Sequence, residues 1–365
     1  MTPVISTAFH SLVVQPTTLC NLDCGYCYLP SRKRQRLMTT AVAKHLAASI
    51  AEQASTRPVE VIWHAGEPLT TPKGHFRALL SEFETLRRTG ACTHSVQTNA
   101  TLLDEAWCDL LKEYGFRIGV SVDGPGGLCG ERVDWRGKAA IDKIERGIAT
   151  LRRAGLHFSV ICVVTEATIA HADELVGYFT DLGCSSVGFN IEEQESLTST
   201  RHSVSSEQAE QFWDSLIRRR TAGSSLAIRD LDRLHAYLTG NPRPPKSHDP
   251  LPTVAYDGDT VVLSPELLGV TSADYGDFLA GNVLRESISS MLARMHRLRY
   301  VAEFAGALDR CAVSCEFWDF CGGAQAGNRY FETGRFDVME TAYCRNTRQA
   351  LVRAAVKQLR KEVNA

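Results

Sequence analysis

The hydrophobic and polar positions of the first 190 residues follow two alternating patterns. Helical periodicity separates short runs that are rich in β-branched residues. Six strand–helix repeats at this spacing predict a parallel α/β sheet, and because eight would close a barrel, we expect a partial, open (β/α)6 TIM barrel. The predicted strands are Leu12–Gln15, Val59–Trp63, His94–Thr98, Arg117–Val122, Phe158–Val164 and Ser186–Asn190. The predicted helices are Thr40–Gln53, Phe76–Arg88, Asp104–Glu113, Ala139–Arg153 and Ala170–Leu182.

The pattern changes after the sixth predicted strand. Residues 191–250 favour helices and a linker, and a second unit begins near Thr253. Its opening segment Val254–Val262 predicts a hairpin with a turn at Asp257-Gly258-Asp259, and Arg348–Val363 predicts a final helix. The predicted domains are a barrel core over 1–195, a helical linker over 196–252 and a C-terminal domain over 253–365.

Charge and composition narrow the class of protein. The 365 residues are 44% hydrophobic, and 40 Lys+Arg against 42 Asp+Glu argue against a nucleic-acid binder. No apolar run approaches the roughly 18 residues that span a bilayer, and Met1–His10 lacks the features of a signal peptide. We therefore expect a cytoplasmic protein with no membrane or nucleic-acid partner.

The sequence contains twelve cysteines, which say more about function than the overall composition does. A chain of this size can build a core without disulfides, so metal ligation or catalysis is the better interpretation of clustered cysteines. Five are scattered singly, and we expect them to be small buried hydrophobic residues: Cys92, Cys108, Cys129, Cys162 and Cys184.

The first cysteine cluster, Cys20-x3-Cys24-x2-Cys27, directly follows the first predicted strand. Three thiolates on a loop suit an iron–sulfur cluster, and a cubane with three ligands leaves one iron open. Zinc and unligated thiols are the alternatives. Zinc would need a fourth ligand nearby, and the next histidine, His45, falls in a predicted helix.

Cys20-x3-Cys24-x-Tyr26-Cys27 resembles the signature of radical S-adenosylmethionine (SAM) enzymes, including the aromatic Tyr26. The resemblance implies a [4Fe-4S] cluster whose open iron binds SAM. An electron, supplied by a protein such as flavodoxin or ferredoxin, would cleave SAM to methionine and a 5′-deoxyadenosyl radical. That radical would abstract hydrogen from the substrate.

Further motifs resemble the cofactor-binding elements of that family. His64-Ala65-Gly66-Glu67-Pro68 matches the element that holds the SAM amino group, with Ala65 in place of the first glycine. Ser121 and Asp123 resemble the ribose-contacting segment, and Arg132 is a candidate partner of the SAM carboxylate. Gln97-Thr98-Asn99 is a further candidate, although strand capping explains such polar strand ends equally. The implied cofactor-binding residues are Tyr26, Ala65, Gly66, Glu67, Pro68, Ser121, Asp123 and Arg132.

A second cluster comprises Cys311, Cys315, Cys321 and Cys344. Four cysteines can complete the coordination of an iron–sulfur cluster, or form a structural zinc site. The region resembles the SPASM domain of peptide-modifying radical SAM enzymes, whose full pattern has seven cysteines and two auxiliary clusters. Residues 253–283 contain no cysteine, so we expect one auxiliary [4Fe-4S] cluster.

The segments Ser264–Gly269, Gly281–Val283, Cys321–Arg345 and Gly188–Glu193 resemble maturases of glycine-rich-repeat and three-residue-cyclophane peptides. This resemblance implies a ribosomal precursor peptide as substrate. A hydrogen would leave a β-carbon, and the carbon radical would attack an aromatic ring two positions earlier. The auxiliary cluster is a candidate acceptor for the last electron. Glu192 and Glu193 could take the proton, or be plain surface carboxylates.

Other outcomes of the same chemistry remain open. The enzyme could form a thioether, epimerise an α-carbon or oxidise a residue for sulfatase maturation. The basic run Arg32–Arg36 could attract an acidic leader peptide, although a solvated loop explains it as well. A different class of protein, a non-catalytic iron–sulfur electron carrier or zinc scaffold, would cleave no SAM.

Overall fold

The computed structural model describes residues 4–192, 204–240 and 247–363, and a parallel sheet forms its centre. Six strands, β2 to β7, pair in parallel in sequential order, and β7 does not close back on β2. The predicted open six-stranded barrel is therefore confirmed. The strands are β1 (Val4–Ile5), β2 (Ser11–Val14), β3 (Val59–Trp63), β4 (Cys92–Thr98), β5 (Arg117–Ser121), β6 (Phe158–Val164) and β7 (Val187–Ile191).

Alternation along the strands separates the two faces of this sheet. In β3, β4 and β6 buried positions alternate with half-buried ones. Trp63 of β3 packs its buried ring against Phe76 and Phe83, so the buried face carries the helical layer. That layer contains α1 (Thr40–Gln53), α2 (Lys73–Ser81), α3 (Glu84–Arg88), α4 (Glu105–Glu113), α5 (Ile141–Arg153) and α6 (Ala172–Leu182).

One predicted helix differs from the structure. The segment expected as a single helix over Phe76–Arg88 begins earlier, at Lys73 after Pro72, and is divided into α2 and α3. Between them the Phe83 ring lies edge-on to Trp63 and His94, each with 5.8 Å between centroids. The break between the two helices coincides with this tertiary contact, which periodicity alone could not show.

The C-terminal part extends the same sheet. Strand β9 (Thr253–Val254) pairs in parallel with β2, and β10 (Asp259–Val261) pairs antiparallel with β9. The predicted hairpin is present, with Gly258 at φ 94° in its turn. The remaining strands are β8 (Ser247–His248), which pairs with β1, and β11 (Gly281–Asn282), which pairs with β10. The domain boundaries stay a prediction, because this hairpin shares its sheet with the barrel.

The rest of the described chain consists of helices and loops, and none of these helices is long and apolar enough to cross a membrane. A hydrogen bond links the helix that contains Trp213 to the segment that contains Asn346, because Trp213 Nε1 donates to the Asn346 carbonyl at 2.7 Å. The π-helical segment Cys344–Gln349 leads into the last helix. The helices are α7 (Ser206–Thr221), α8 (Arg229–Leu238), α9 (Ile288–Arg294), α10 (Arg299–Ser314), α11 (Trp318–Cys321), α12 (Ala326–Thr333) and α13 (Ala350–Val363).

Candidate functional site

The first three cysteines lie on the loop that follows the carboxyl end of β2. The backbone of this loop is held on both sides. Cys20 N–H donates to the Arg32 carbonyl at 2.9 Å, and the Trp135 indole N–H donates to the Cys20 carbonyl at 2.8 Å. Cys27 N–H donates to the Cys24 carbonyl at 3.2 Å. The loop is thus positioned by contacts that are distant in sequence.

The three thiols of this loop influence one another electrostatically. Desolvation, the negative charge of Glu67 and the other two cysteines raise the pKa of Cys20 to about 12. Desolvation is also the main cause that raises the pKa of Cys24 to about 11. Cys20 and Cys24 thus lie close enough to neighbouring thiols for the charges to interact, and a compensating cation would favour their deprotonation.

A sharp turn after β3 presses against the start of the cysteine loop. Ala65 and Gly66 both have positive φ, 65° and 84°. A Cβ added to Gly66 would lie 2.6 Å from the Thr17 carbonyl oxygen and 2.9 Å from that of Leu19. Positive φ is strained for an L residue, although Ala65 adopts it, and at Gly66 a Cβ would also collide with these two carbonyl oxygens, so glycine is required at Gly66.

Glu67 follows this turn and is 2% exposed. Its carboxyl accepts hydrogen bonds from Leu69 N–H at 3.0 Å, Thr98 Oγ1 at 2.7 Å and Asn99 N–H at 2.7 Å. Desolvation raises its pKa to about 7 despite these bonds. The predicted ammonium partner therefore also links the turn to the end of β4.

The buried Asp123 and Arg132 and the half-buried Tyr26 form one network at the ends of β5 and the cysteine loop. Arg132 Nη2 lies 2.9 Å from Asp123 Oδ1, and the Tyr26 hydroxyl donates to Asp123 Oδ2 at 2.6 Å. The Arg132 guanidinium carbon lies 5.4 Å from the centroid of the Tyr26 ring. Three predicted site residues thus meet, and the nearby Ser121 hydroxyl accepts from Gln97 Nε2 at 2.8 Å.

Two residues that sequence reasoning did not select also support this site. Trp135 fixes the Cys20 carbonyl, and Asn21 accepts a hydrogen bond from the candidate Asn99 at 2.9 Å. Asn21 could have been selected because it lies inside the cysteine motif, whereas no local signal marks Trp135. Arg32 of the basic run pairs with Asp23 at 3.0 Å and is partly buried, while its four neighbours up to Arg36 are exposed.

The second cysteine cluster lies where α10, α11 and the π-helical segment meet. The described cysteines are all free thiols. A hydrogen bond with Cys344 lowers the pKa of Cys321, and the same bond raises the pKa of Cys344. Desolvation raises the pKa of Cys311, and the charges of Cys315 and Cys321 add to this increase. The structure therefore brings the four predicted C-terminal residues together.

The other predicted positions have mixed outcomes. Four of the scattered cysteines are buried as expected, whereas Cys184 is only half-buried. Glu192 follows β7 and its N–H donates to the Val164 carbonyl at 2.8 Å. Glu193 lies outside the described residues.

Comparison with known proteins identifies the family. Residues 14–179 match the Radical SAM superfamily. Over 350 residues the chain is 31% identical to protein sll1766 of Synechocystis sp., an alignment that covers 92% of this chain and 88% of that protein. This chain belongs to the radical SAM superfamily.

Other relatives of this radical SAM protein have names that describe an activity. It is 32% identical over 180 residues to the serine-type anaerobic sulfatase-maturating enzyme of Klebsiella aerogenes, covering 48% of this chain and 44% of that enzyme. It is 28% identical over 184 residues to the cysteine-type enzyme of Clostridium perfringens, covering 47% and 48%. The aligned region thus spans less than half of each enzyme.

Solved structures share the fold of this radical SAM protein over nearly its whole length. Native anSMEcpe with bound AdoMet has a TM-score of 0.77 at 22% identity, covering 97% of this chain and 99% of that one. Streptococcus suis SuiB bound to its precursor peptide SuiA has a TM-score of 0.65 at 15% identity, covering 90% and 74%. The likeness extends beyond the barrel to the C-terminal region.

Membership of this superfamily implies a [4Fe-4S] cluster and SAM, and the residues present fit both. Within the described ranges no three His, Cys, Asp or Glu side chains converge as they would on a single metal ion. Each thiolate of a cubane instead binds its own iron, and three neighbouring thiols meet that requirement. Arg132 Nε is buried and has no hydrogen-bond partner among the described residues, which leaves a donor for a ligand.

Proposed function

We propose that this radical SAM protein is a maturase that forms a carbon–carbon crosslink, a cyclophane, in a ribosomal precursor peptide. The observation that carries the radical chemistry is the meeting of three motifs at one edge of the sheet. The thiols of Cys20, Cys24 and Cys27, the turn at Gly66 and the Asp123–Arg132 pair all lie at the carboxyl ends of strands. Ligands bind at this edge in open α/β sheets.

Each part of this edge has a separate task in the proposal. The three cysteines hold the cluster, and cluster and SAM together supply a hydrogen-abstracting radical. Gly66 allows the backbone to approach the cofactor closely, and Arg132 offers its free Nε to the SAM carboxylate. Asp123 keeps Arg132 charged and oriented through their 2.9 Å contact. Burial of this network excludes water from the radical.

A cavity of about 330 Å³ beside the cysteine loop supports a peptide substrate. Its lining includes Pro30 and Arg34, which follow the cysteine loop in sequence, and Tyr256 and Leu268 of the C-terminal region. Apolar, aromatic and charged groups together suit a short polypeptide segment. The printed names of the sulfatase-maturating relatives, and the SuiB complex with its precursor peptide, support the same substrate class.

The C–C crosslink is supported by the segments that resemble cyclophane-forming maturases. Abstraction removes one hydrogen atom from a β-carbon, and the carbon radical bonds to the aromatic ring. The ring regains aromaticity when it releases one proton and one electron, so the peptide loses two hydrogens. An auxiliary [4Fe-4S] cluster on Cys311, Cys315, Cys321 and Cys344 would accept that electron.

Serine oxidation is a second candidate, favoured by 32% identity to a serine-type sulfatase-maturating enzyme. Converting a serine side chain to an aldehyde also removes two hydrogens, so the mass change alone cannot separate the two reactions. The aldehyde reacts with a hydrazide, whereas a cyclophane does not. Thioether formation and epimerisation stay alternatives that the product would reveal, the first through a cysteine and the second through an unchanged mass.

The first experiment tests the radical chemistry. Anaerobically reconstituted protein, reduced with dithionite and supplied with SAM, is expected to release 5′-deoxyadenosine, which liquid chromatography measures. Cys24→Ala is expected to abolish release, while Cys92→Ala, at a buried cysteine outside the motif, is expected to retain it. Zinc in place of iron, or equal release by both variants, would refute the proposal.

The second experiment tests the product. The chain is co-expressed with a candidate precursor peptide, taken from any short open reading frame beside its gene, and the peptide is fragmented in a mass spectrometer. We expect a loss of two hydrogens confined to one aromatic-containing tripeptide and no reaction with a hydrazide probe. A hydrazide adduct at a serine would establish serine oxidation instead. Flavodoxin or ferredoxin is proposed as the reductant in the cytoplasm, and either can replace dithionite in this assay.

A further inference from the structure

The guanidinium of Arg329 in α12 is buried beside the C-terminal cysteines, and the residue is 2% exposed. Its Nη2 donates to the Gly323 carbonyl at 2.8 Å and lies 3.9 Å from the Cys311 sulfur. Its Nη1 lies 3.4 Å from the Phe336 carbonyl, and its carbon lies 4.7 Å from the centroid of the Phe304 ring. These partners are neutral groups and one cysteine.

A buried guanidinium normally has a carboxylate partner, because an isolated charge in a dry interior is costly. Within the described ranges Arg329 forms no ion pair with a carboxylate, and desolvation lowers its pKa, although Cys311, Cys344 and Cys321 favour its charged form. When a cluster is bound, the Cys311 sulfur, 3.9 Å from Arg329 Nη2, would be a thiolate and would balance this charge. A cluster held by four thiolates carries the required negative charge permanently.

Two more arginines face the same cysteines from the side of α8 and the π-helical segment. Arg233 Nη2 donates to the carbonyls of Phe320 and Cys321, each at 3.0 Å. Arg348 lies 3.4 Å from Asp230, and its Nη2 donates to the Tyr343 hydroxyl, one residue before Cys344, at 2.7 Å. Two carboxylates also lie in this region, Asp230 beside Arg348 and Glu332, which accepts the N–H groups of the two residues before Cys344.

The N-terminal cysteines have a different environment. Their nearby arginines are neutralised, Arg132 by Asp123 at 2.9 Å and Arg32 by Asp23 at 3.0 Å. The buried Glu67 adds negative charge beside Cys20. Because net charge and hydrogen bonds to sulfur set the potential of an iron–sulfur cluster, the two sites favour different oxidation states.

We propose that Arg329 is the counter-ion of the C-terminal cluster and raises its reduction potential above that of the N-terminal cluster. Reduction adds one negative charge to a cluster, and a buried, otherwise uncompensated cation stabilises that charge. The cyclised peptide releases one proton to a base and one electron, and the electron reduces the C-terminal cluster. This inference rests on the auxiliary cluster proposed above.

The test uses the full chain with Cys20, Cys24 and Cys27 replaced by alanine, so that the C-terminal cluster is observed by itself. The midpoint potential is measured by anaerobic redox titration, with electron paramagnetic resonance of the reduced cluster as readout. Arg329→Gln is expected to shift the potential downward, and Arg329→Lys is expected to retain most of the parent value. Arg310→Gln is the matched control, because Arg310 precedes Cys311 but is exposed to screening solvent.

The outcomes separate this inference from the proposal on which it rests. A triple-alanine parent that binds no iron overturns the auxiliary cluster and the role of Arg329 together. Iron binding with equal potentials in the parent and Arg329→Gln overturns only the role of Arg329. If Arg329→Gln binds no iron, the Arg329→Lys variant decides between the outcomes. Iron binding by Arg329→Lys with a potential near that of the parent supports the charge effect. Loss of iron from Arg329→Lys overturns the charge effect. In the unmodified chain, reduction of the N-terminal cluster first would also overturn the inference.

Discussion

Gly66 is the position where one added methyl group is expected to disturb the candidate site most directly. Its φ of 84° and the 2.6 Å separation between an added Cβ and the Thr17 carbonyl oxygen are two independent obstacles. Glu67 N–H donates to the Leu19 carbonyl at 2.8 Å, so a displaced turn moves the chain one residue before Cys20. Gly66→Ala therefore perturbs both the turn and the cysteine loop.

The magnitude follows from the two obstacles. A left-handed conformation costs an L residue about 1–2 kcal/mol. Forcing a methyl group into a closely packed site costs about 1–3 kcal/mol more. Gly90→Ala is the matched control, because Gly90 has φ 75° and no atom within 4 Å of an added Cβ. Gly66→Ala should therefore lose about 1–3 kcal/mol more unfolding free energy than Gly90→Ala.

Urea unfolding of both variants without cofactor measures this difference, and 5′-deoxyadenosine release after reconstitution measures the effect on the site. Gly66→Ala is expected to lose most of its SAM cleavage, whereas Gly90→Ala keeps it. Equal unfolding free energies in the two variants would refute the close contact. Unchanged SAM cleavage in Gly66→Ala would refute the role of the turn in the site.

Three further predictions concern contacts around the two clusters. Asp123→Asn leaves the Arg132 charge buried without its partner and should lower the urea-unfolding free energy by about 3–5 kcal/mol. Cys344→Ser should lower the iron content of reconstituted protein by about four atoms per chain, because one cluster loses a ligand. Trp135→Phe removes the 2.8 Å hydrogen bond to the Cys20 carbonyl and should cost about 1 kcal/mol in the same unfolding assay.

The first two of these predictions have matched control variants, and the third has a refuting outcome. Glu113→Gln breaks the exposed pair with Arg77 and should cost less than about 1 kcal/mol, so an equal loss in Asp123→Asn would contradict the buried-charge argument. Cys184→Ser should leave the iron content unchanged. If it also lost iron, the loss in Cys344→Ser would not show that Cys344 is a cluster ligand. If the unfolding free energy of Trp135→Phe equals that of the wild-type protein, the loop does not depend on this hydrogen bond.

Secondary structure was largely predictable because its signals are local. The bounds of β3, β6 and α1 agree with the predicted ones, since alternation, helical periodicity and the Thr39 cap act within a few residues. The break between α2 and α3 was not predictable, because it coincides with a tertiary contact between the Phe83 ring and Trp63 of β3.

The candidate site was predictable in its residues but not in its contacts. Cysteine spacing and strand-end motifs selected Cys20, Gly66 and Asp123, and parallel strands place such ends at one edge. The sequence did not show which groups pair. The Trp135 indole donates a hydrogen bond to the Cys20 carbonyl, and Asp123 forms an ion pair with Arg132. A sequence motif shows which groups are present, but it does not show which of them form hydrogen bonds or ion pairs with one another.

The sequence by itself determined an open parallel sheet, two cysteine clusters and a family, since residue type and spacing carry that information. Only the tertiary structure decided how the charges around the two clusters are balanced. Arg132 has a buried carboxylate partner and Arg329 has none among the described residues, although both are single arginines near cysteines in sequence. The physical reason is that the energy of a buried charge depends on what folding places within a few ångströms of it.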